Sequence, residues 1–197
     1  MKIEKMHISE SKIVAYHHKM NLITPFSKID GNYLEQFYNL LLSDSKSHLC
    51  FVAKEKGAIV GAITTTLDLH TTNKILRGLV SPFLIFNTIK AILLGKLAIN
   101  EIFGRLQFEK YLLKSTSRTY PSILTLFVVD GYQRKGIGKS LIKTTLKKLE
   151  RQKIKKVYVD TLKTNKKAII FYKSLGFTVK NVIADSIILE YHFFNSN

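Results

Sequence analysis

Residues 124–139, Leu-Thr-Leu-Phe-Val-Val-Asp-Gly-Tyr-Gln-Arg-Lys-Gly-Ile-Gly-Lys, carry the residue types and spacing from which an anion site is built. An apolar run ends in a polar loop holding Gly136 and Gly138, and Ile137, Leu141, Ile142, Leu146 and Leu149 then recur at helical spacing. In a strand, glycine loop and helix, the glycines let the backbone approach a ligand. The unpaired N–H groups of the first helical turn point at it. Arg134, Lys135 and Lys139 add positive charge at the same place. The pattern predicts a cradle for a pyrophosphate.

Two other glycine-loop readings each fail on a named residue. A dinucleotide fingerprint needs a third glycine where this chain has Leu141. The phosphate loop of nucleotide triphosphatases ends in Gly-Lys-Ser/Thr, as Gly138-Lys139-Ser140 does, but its earlier glycine is replaced by Gln133.

Gln133-Arg134-Lys135-Gly136-Ile137-Gly138 resembles the Gln/Arg-x-x-Gly-x-Gly/Ala signature of the GNAT superfamily of acyl-CoA N-acyltransferases. A second block strengthens the resemblance. The strand-like Lys156-Val-Tyr-Val-Asp160 precedes Asn165, Ala168, Tyr172, Gly176 and Phe177, which match the family's Asn-x-x-Ala-x-x-x-Tyr-x-x-x-Gly-Phe spacing. The likeness is good over about residues 120–180, and rests on element order before that. One position departs from it: Asp130 stands where the family commonly has proline.

The resemblance implies an acetyl-CoA-dependent N-acetyltransferase with acetyl-CoA as acyl donor, no metal, and a primary amine as acceptor, attacked directly in a ternary complex. Backbone N–H groups at a splayed strand end, Phe127 and Val128, would serve the pantetheine arm and the acyl oxygen. Gln133, Arg134, Lys135, Gly136, Ile137, Gly138 and Lys139 would hold the pyrophosphate. Asn165 would touch the pantetheine arm or anchor the loop beside it. Tyr172 is the candidate general acid: a phenol titrating near about 10 can protonate a thiolate leaving group at neutral pH. The base is open. Asp68 and His70, just past a predicted strand end, are candidates, and so are a water relay or an amine that arrives neutral.

The whole chain fits this reading. Its 197 residues and 46% hydrophobic content suit a single domain over 1–197. One cysteine, Cys50, excludes an internal disulfide and reads as a small core residue of a strand. No CxxC or HExxH occurs, and the adjacent His17 and His18 lack metal-ligand spacing. The N-terminus mixes acids and bases without an apolar signal core, which leads us to expect a cytoplasmic protein. A net charge of +17, with Lys143, Lys147, Lys148, Arg151, Lys153, Lys155 and Lys156 clustered around one helix, suits a solvated face or a polyanionic ligand such as coenzyme A. It equally suits the alternative of an acyl-CoA-fold binding protein working on nucleic acid or anionic membrane. No nucleic-acid-binding motif accompanies the charge.

These motifs need an α/β scaffold, a mixed and mostly antiparallel central sheet with helices on both faces. Strands are expected at about 2–8, 49–55, 58–67, 124–128 and 155–160, with a closing hairpin at about 177–183 and 186–193. Helices are expected at about 10–20 with Ser9 as cap and Ile13, Tyr16 and His17 on one side, from Gly31 or Asn32 to about 42, from 137, and at about 166–174.

A helical insertion at about 68–119 is extra to the minimal pattern. Ser81-Pro82 predicts a helix start, and Lys90 and Lys96 interrupt its apolar run too early for a membrane span. We expect a helical hairpin that walls the acceptor side of the cleft or packs in a homodimer. A membrane-surface helix with Phe83, Phe86, Leu93 and Leu97 is the alternative. The acceptor is not encoded in a recognisable motif; a nucleotide-linked amino sugar or other small amine suits the basic surface.

Overall fold

The computed structural model describes residues 1–22, 24–28, 32–98 and 121–193. Residues 99–119 of the expected insertion, Gly31 as a helix opener, and the Phe83 side chain lie outside the described set. A short strand β1 (Lys2–Lys5) leads through a 3-10 turn into α1 (Ser11–Asn21) and α2 (Tyr33–Ser43). The hairpin β2 (His48–Glu55) and β3 (Ala58–Thr66) follows, then α3 (Leu69–Arg77) and α4 (Pro82–Leu93). The second half runs β4 (Ser122–Val128), α5 (Ile137–Arg151), β5 (Lys156–Leu162), α6 (Lys166–Ser174), β6 (Thr178–Ile183) and β7 (Ser186–His192). The seven strands form one sheet in the order β1-β2-β3-β4-β5-β7-β6. Only the β4–β5 pairing is parallel.

Helices cover both faces, and strand residues divide between them. On one face Val14 and Ala15 of α1 and Leu34, Tyr38 and Leu41 of α2 pack with Cys50, Val52, Ala62 and Phe127. On the other, Ile137, Leu141, Ile142 and Leu149 of α5 and Tyr172 of α6 pack with Val60, Ile63, Val157 and Val159. Each of those α5 side chains is buried and contributes about 2 kcal/mol by leaving water. β3 is buried from Ile59 to Thr66, because a central strand with helices above and below has no wet face.

α1 differs from the sequence expectation in two ways. Ser9 does not cap it. Ser9 sits inside the 3-10 turn Ile8–Glu10, where the Glu10 carboxylate accepts the His7 N–H at 2.8 Å, and α1 starts only at Ser11. Its inner face is Ser11, Val14, Ala15 and His18, while Ile13 and Tyr16 face solvent. Both stripes are helical in period, and contact with α2 selects the one with the smaller side chains.

The helix start at Ser81 is as expected: its hydroxyl accepts the Leu84 N–H at 3.2 Å, with Pro82 in the first turn. α3 is an additional helix. Asp68 caps it, accepting from the His70 and Thr71 N–H groups at 3.0 and 3.2 Å and from the Thr71 hydroxyl at 2.6 Å.

Candidate active site

β4 and β5 are paired only where the start of β4 meets the middle of β5. The register joins Ser122 to Tyr158 and Ile123 to Val159, and the Tyr158 N–H donates to the Pro121 carbonyl at 2.9 Å. Beyond these pairs the two strands part, although β4 continues to Val128 and β5 to Leu162. On its other edge β4 stays paired to β3 as far as Gly61 and Val128. The β5-facing edge of β4 from Leu124 onward therefore carries backbone groups with no strand partner among the described residues. A bulge at the same point, where Thr65 pairs Ile123 but Thr64 pairs Thr125, re-aims the strand just as it parts.

The loop after β4 is held from several sides. The Val129 N–H bonds to the Val60 carbonyl at 2.9 Å and the Tyr132 N–H to the Val129 carbonyl at 3.0 Å. Asp130, the departure from the family pattern, uses what a proline lacks: its N–H donates to Asn21 Oδ1 of α1 at 3.0 Å. Its carboxylate accepts from Gln133 Nε2 at 2.7 Å, and the same amide reaches the Val128 carbonyl at 3.3 Å. The Gln133 side-chain nitrogen thus braces the loop from within.

Gly136 opens α5 in the left-handed region, with φ of 79°, and Arg134 shares that conformation at φ of 61°. The first N–H to bond within this helix is that of Ser140, to the Gly136 carbonyl at 2.9 Å. The amides of Ile137, Gly138 and Lys139 are the orphan donors of the first turn, with the helix dipole behind them. Ile137 is buried in the core, so its contribution to a ligand is its N–H alone. A Cβ at Gly138 would stand 3.3 Å from the Phe171 ring and 3.7 Å from Val128, so glycine lets α5 and α6 close over the end of β4. Arg134, Lys135 and Lys139 are exposed around these amides, and Lys135 Nζ lies over the Tyr132 ring at 5.1 Å from its centre.

α6 brings the second block to the same end of the sheet. Asn165 caps it, its Oδ1 accepting the Ala168 N–H at 3.1 Å, so its side-chain oxygen anchors the loop and only its amide nitrogen is left to face a ligand. Tyr172 is buried and wedged edge-to-face between Phe171 and Phe177, at 5.3 and 5.4 Å between ring centres. Burial, and to a smaller degree the charge of Asp160, holds its phenol well above the ordinary value, so it is a neutral O–H donor throughout the physiological range. Asp160 was not foreseen as a site residue. It lies one residue past the last β4–β5 pair. Alternation along β5 turns it from the face that buries Val157 and Val159, a signal already present in the strand's sequence.

The other candidates stand apart from this cluster. The Asp68 carboxylate is occupied by the α3 cap, which overturns its candidacy as base, and His70 is an exposed first-turn residue of α3. Burial raises the Cys50 thiol to about 12, so it is an inert core group. His18 is buried in a polar chain: Nδ1 lies 2.8 Å from the Tyr38 hydroxyl, which lies 3.5 Å from Thr125 Oγ1, itself 2.7 Å from Thr64 Oγ1. Burial lowers the His18 pKa to about 4. This chain ties α1 and α2 to β3 and to the parted stretch of β4 at Thr125. Among the described residues no group of three or more His, Cys, Asp or Glu side chains is arranged to hold a metal, and no helix is long and apolar enough to cross a membrane.

Comparison with solved structures finds the same fold. The ribosomal-protein-S18-alanine N-acetyltransferase of Escherichia coli superposes with a TM-score of 0.61 at 14% identity, over 100% of this chain and 97% of that one. The PaiA N-acetyltransferase of Thermoplasma acidophilum, in complex with coenzyme A, gives 0.61 at 15% identity over 98% of both chains. Arabidopsis thaliana NAA60, in complex with acetyl-CoA, gives 0.61 at 18% identity, again over 98% of both. No curated protein matches the sequence significantly. The acetyltransferase (GNAT) family matches residues 15–177, most of the chain and every element of the site, and the chain belongs to that family of acyl-transferring enzymes.

Proposed function

We propose that this enzyme moves the acetyl group of acetyl-CoA to a primary amine by direct attack in a ternary complex, the acceptor being an amino sugar or another small amine. One coincidence supports the reading: the parting of β4 from β5, the orphan amides of α5 and the α6 helix that carries Tyr172, whose Phe171 ring closes on Gly138, lie toward one end of the sheet. The pyrophosphate lies against the amides of residues 134–139, with Arg134, Lys135 and Lys139 around it. The pantetheine arm takes the place of a β5 partner along β4 beside Phe127 and Val128. A β4 N–H directed at the thioester oxygen would stabilise the negative charge that develops there; loss of one such donor typically costs about 3–4 kcal/mol.

The neutral amine attacks the thioester carbon, the C–N bond forms and the C–S bond breaks. The departing thiolate takes the proton of the Tyr172 O–H, and the amine gives up one of its own. We assign that second proton to the Asp160 carboxylate, because it stands just past the last β4–β5 pair and its charge acts on Tyr172. A net charge of +17 favours an anionic acceptor, such as a nucleotide-linked amino sugar, over a polyamine.

An acceptor screen with labelled acetyl-CoA tests the proposal. Label should pass to an anionic amino sugar or a comparable small amine. Retained acetyl-CoA binding without transfer to any amine would contradict it. The same charge supports one other reading, a protein that keeps the fold and works on nucleic acid or anionic membrane; salt-sensitive DNA binding without acetyl-CoA affinity would put it first.

A further inference from the structure

α4 is turned the wrong way round for a solvated helix. Its inward face carries Leu84, Asn87, Ala91 and Ile92, and Leu84, Ala91 and Ile92 join the cluster formed by α1, α2 and β4. Its outward face carries Ile85, Phe86, Ile89 and Leu93 on one stripe, with Phe86 63% and Leu93 81% exposed. An ordinary surface helix reserves that face for polar side chains. Phe86 and Leu93 both point away from the cluster against which the helix packs.

The charge of the segment that carries the stripe selects its cover. Residues 69–98 hold Lys74, Arg77, Lys90 and Lys96 and no aspartate or glutamate. All four bases are exposed. A second copy of this chain docking through the same face would set these bases against their own counterparts across a two-fold axis, in a molecule already at +17. An anionic lipid surface meets the same features with opposite charge: apolar side chains enter the headgroup–acyl boundary and lysines flank them.

We propose that α4 is a membrane-surface helix, seating Ile85, Phe86, Ile89 and Leu93 in the interface of an anionic bilayer while Lys74, Arg77, Lys90 and Lys96 face its headgroups. This goes beyond acetyl transfer and stands or falls separately from it.

Flotation of the full chain with vesicles of equal parts phosphatidylglycerol and phosphatidylcholine tests it. The wild type should float with these vesicles and stay behind with phosphatidylcholine alone. Ile89→Asp/Leu93→Asp should abolish flotation while acetyl-CoA affinity is unchanged, which also shows that the variant is folded. Replacing Lys74, Arg77, Lys90 and Lys96 by Gln should weaken partition by about fivefold per base. Failure of the wild type to float with anionic vesicles overturns the proposal, whether the chain sediments as a monomer or as a dimer that the double variant dissolves. Flotation that survives the double variant overturns it as well.

Discussion

Residues 122–139 and residues 69–98 are both apolar segments set beside lysines, yet they follow different physical rules. The first uses its backbone. β4 leaves its edge unpaired, Gly136 and Gly138 admit a ligand to the amides, and Ile137 keeps its side chain in the core. The second uses its side chains, with α4 held by one face while the other is exposed among the described residues. A site made of amides constrains few residue types but constrains their spacing tightly, and it has one ligand chemistry. A surface made of exposed side chains constrains composition more than spacing, so its partner must be read from charge.

The sharpest way to break the contrast is to alter chemistry on the backbone side without touching binding. Tyr172→Phe should lower kcat by roughly 10²–10⁴-fold, as loss of a general acid does, with the acetyl-CoA dissociation constant unchanged. Full activity across the pH range would reduce Tyr172 to a packing residue. Next in size are the glycines. Gly138→Asp brings a carboxylate to the orphan amides and a Cβ to 3.3 Å from Phe171, whereas Gly136→Asp has open space but a left-handed backbone. Each should weaken acetyl-CoA by about a hundredfold or more through like-charge juxtaposition. Gly138→Ala separates the causes: it keeps the steric contact without the charge and should lose far less. Calorimetric titration reads all three.

The scaffold between the two regions responds to pH. The buried His18 has its pKa lowered to about 4, so between about pH 6.5 and pH 4 the unfolded chain takes up a proton that the native chain refuses. Its contribution is complete above pH 6.5 and is lost as the pH falls through that window, amounting to about 3 kcal/mol. Urea unfolding of wild type and His18→Gln at several pH values should show this difference in slope; parallel curves would place the titration elsewhere. Smallest is the α6 cap: Asn165→Ala should cost about 1 kcal/mol of stability in the same assay, with a modest change in acetyl-CoA affinity.

The glycine loop, the Asn165–Tyr172–Phe177 block, the two-faced sheet and the Ser81-Pro82 helix start were legible because each rests on a local rule: a spacing, a cap or a period. The inner face of α1 was not, since Ile13, Tyr16 and His17 are as helical in period as Val14, Ala15 and His18, and only the position of α2 distinguishes them. The parting of β4 from β5 past Ile123 depends on pairing between segments more than thirty residues apart, which no local pattern specifies. Asp68 looked like a base beside a strand end because a cap and a catalytic carboxylate share one residue type; α3 decides between them. Asp130 departs from the family's proline, and the reason lies far off in the chain, where Asn21 accepts its N–H.

Calorimetric titration of the wild-type chain with acetyl-CoA, and separately with duplex DNA, tests the central claim most directly. Saturable binding of one acetyl-CoA per chain, weakened about a hundredfold or more by Gly138→Asp and indifferent to DNA, is the result expected of a donor seated on the α5 amides. Absence of acetyl-CoA binding alongside salt-sensitive DNA binding would contradict it.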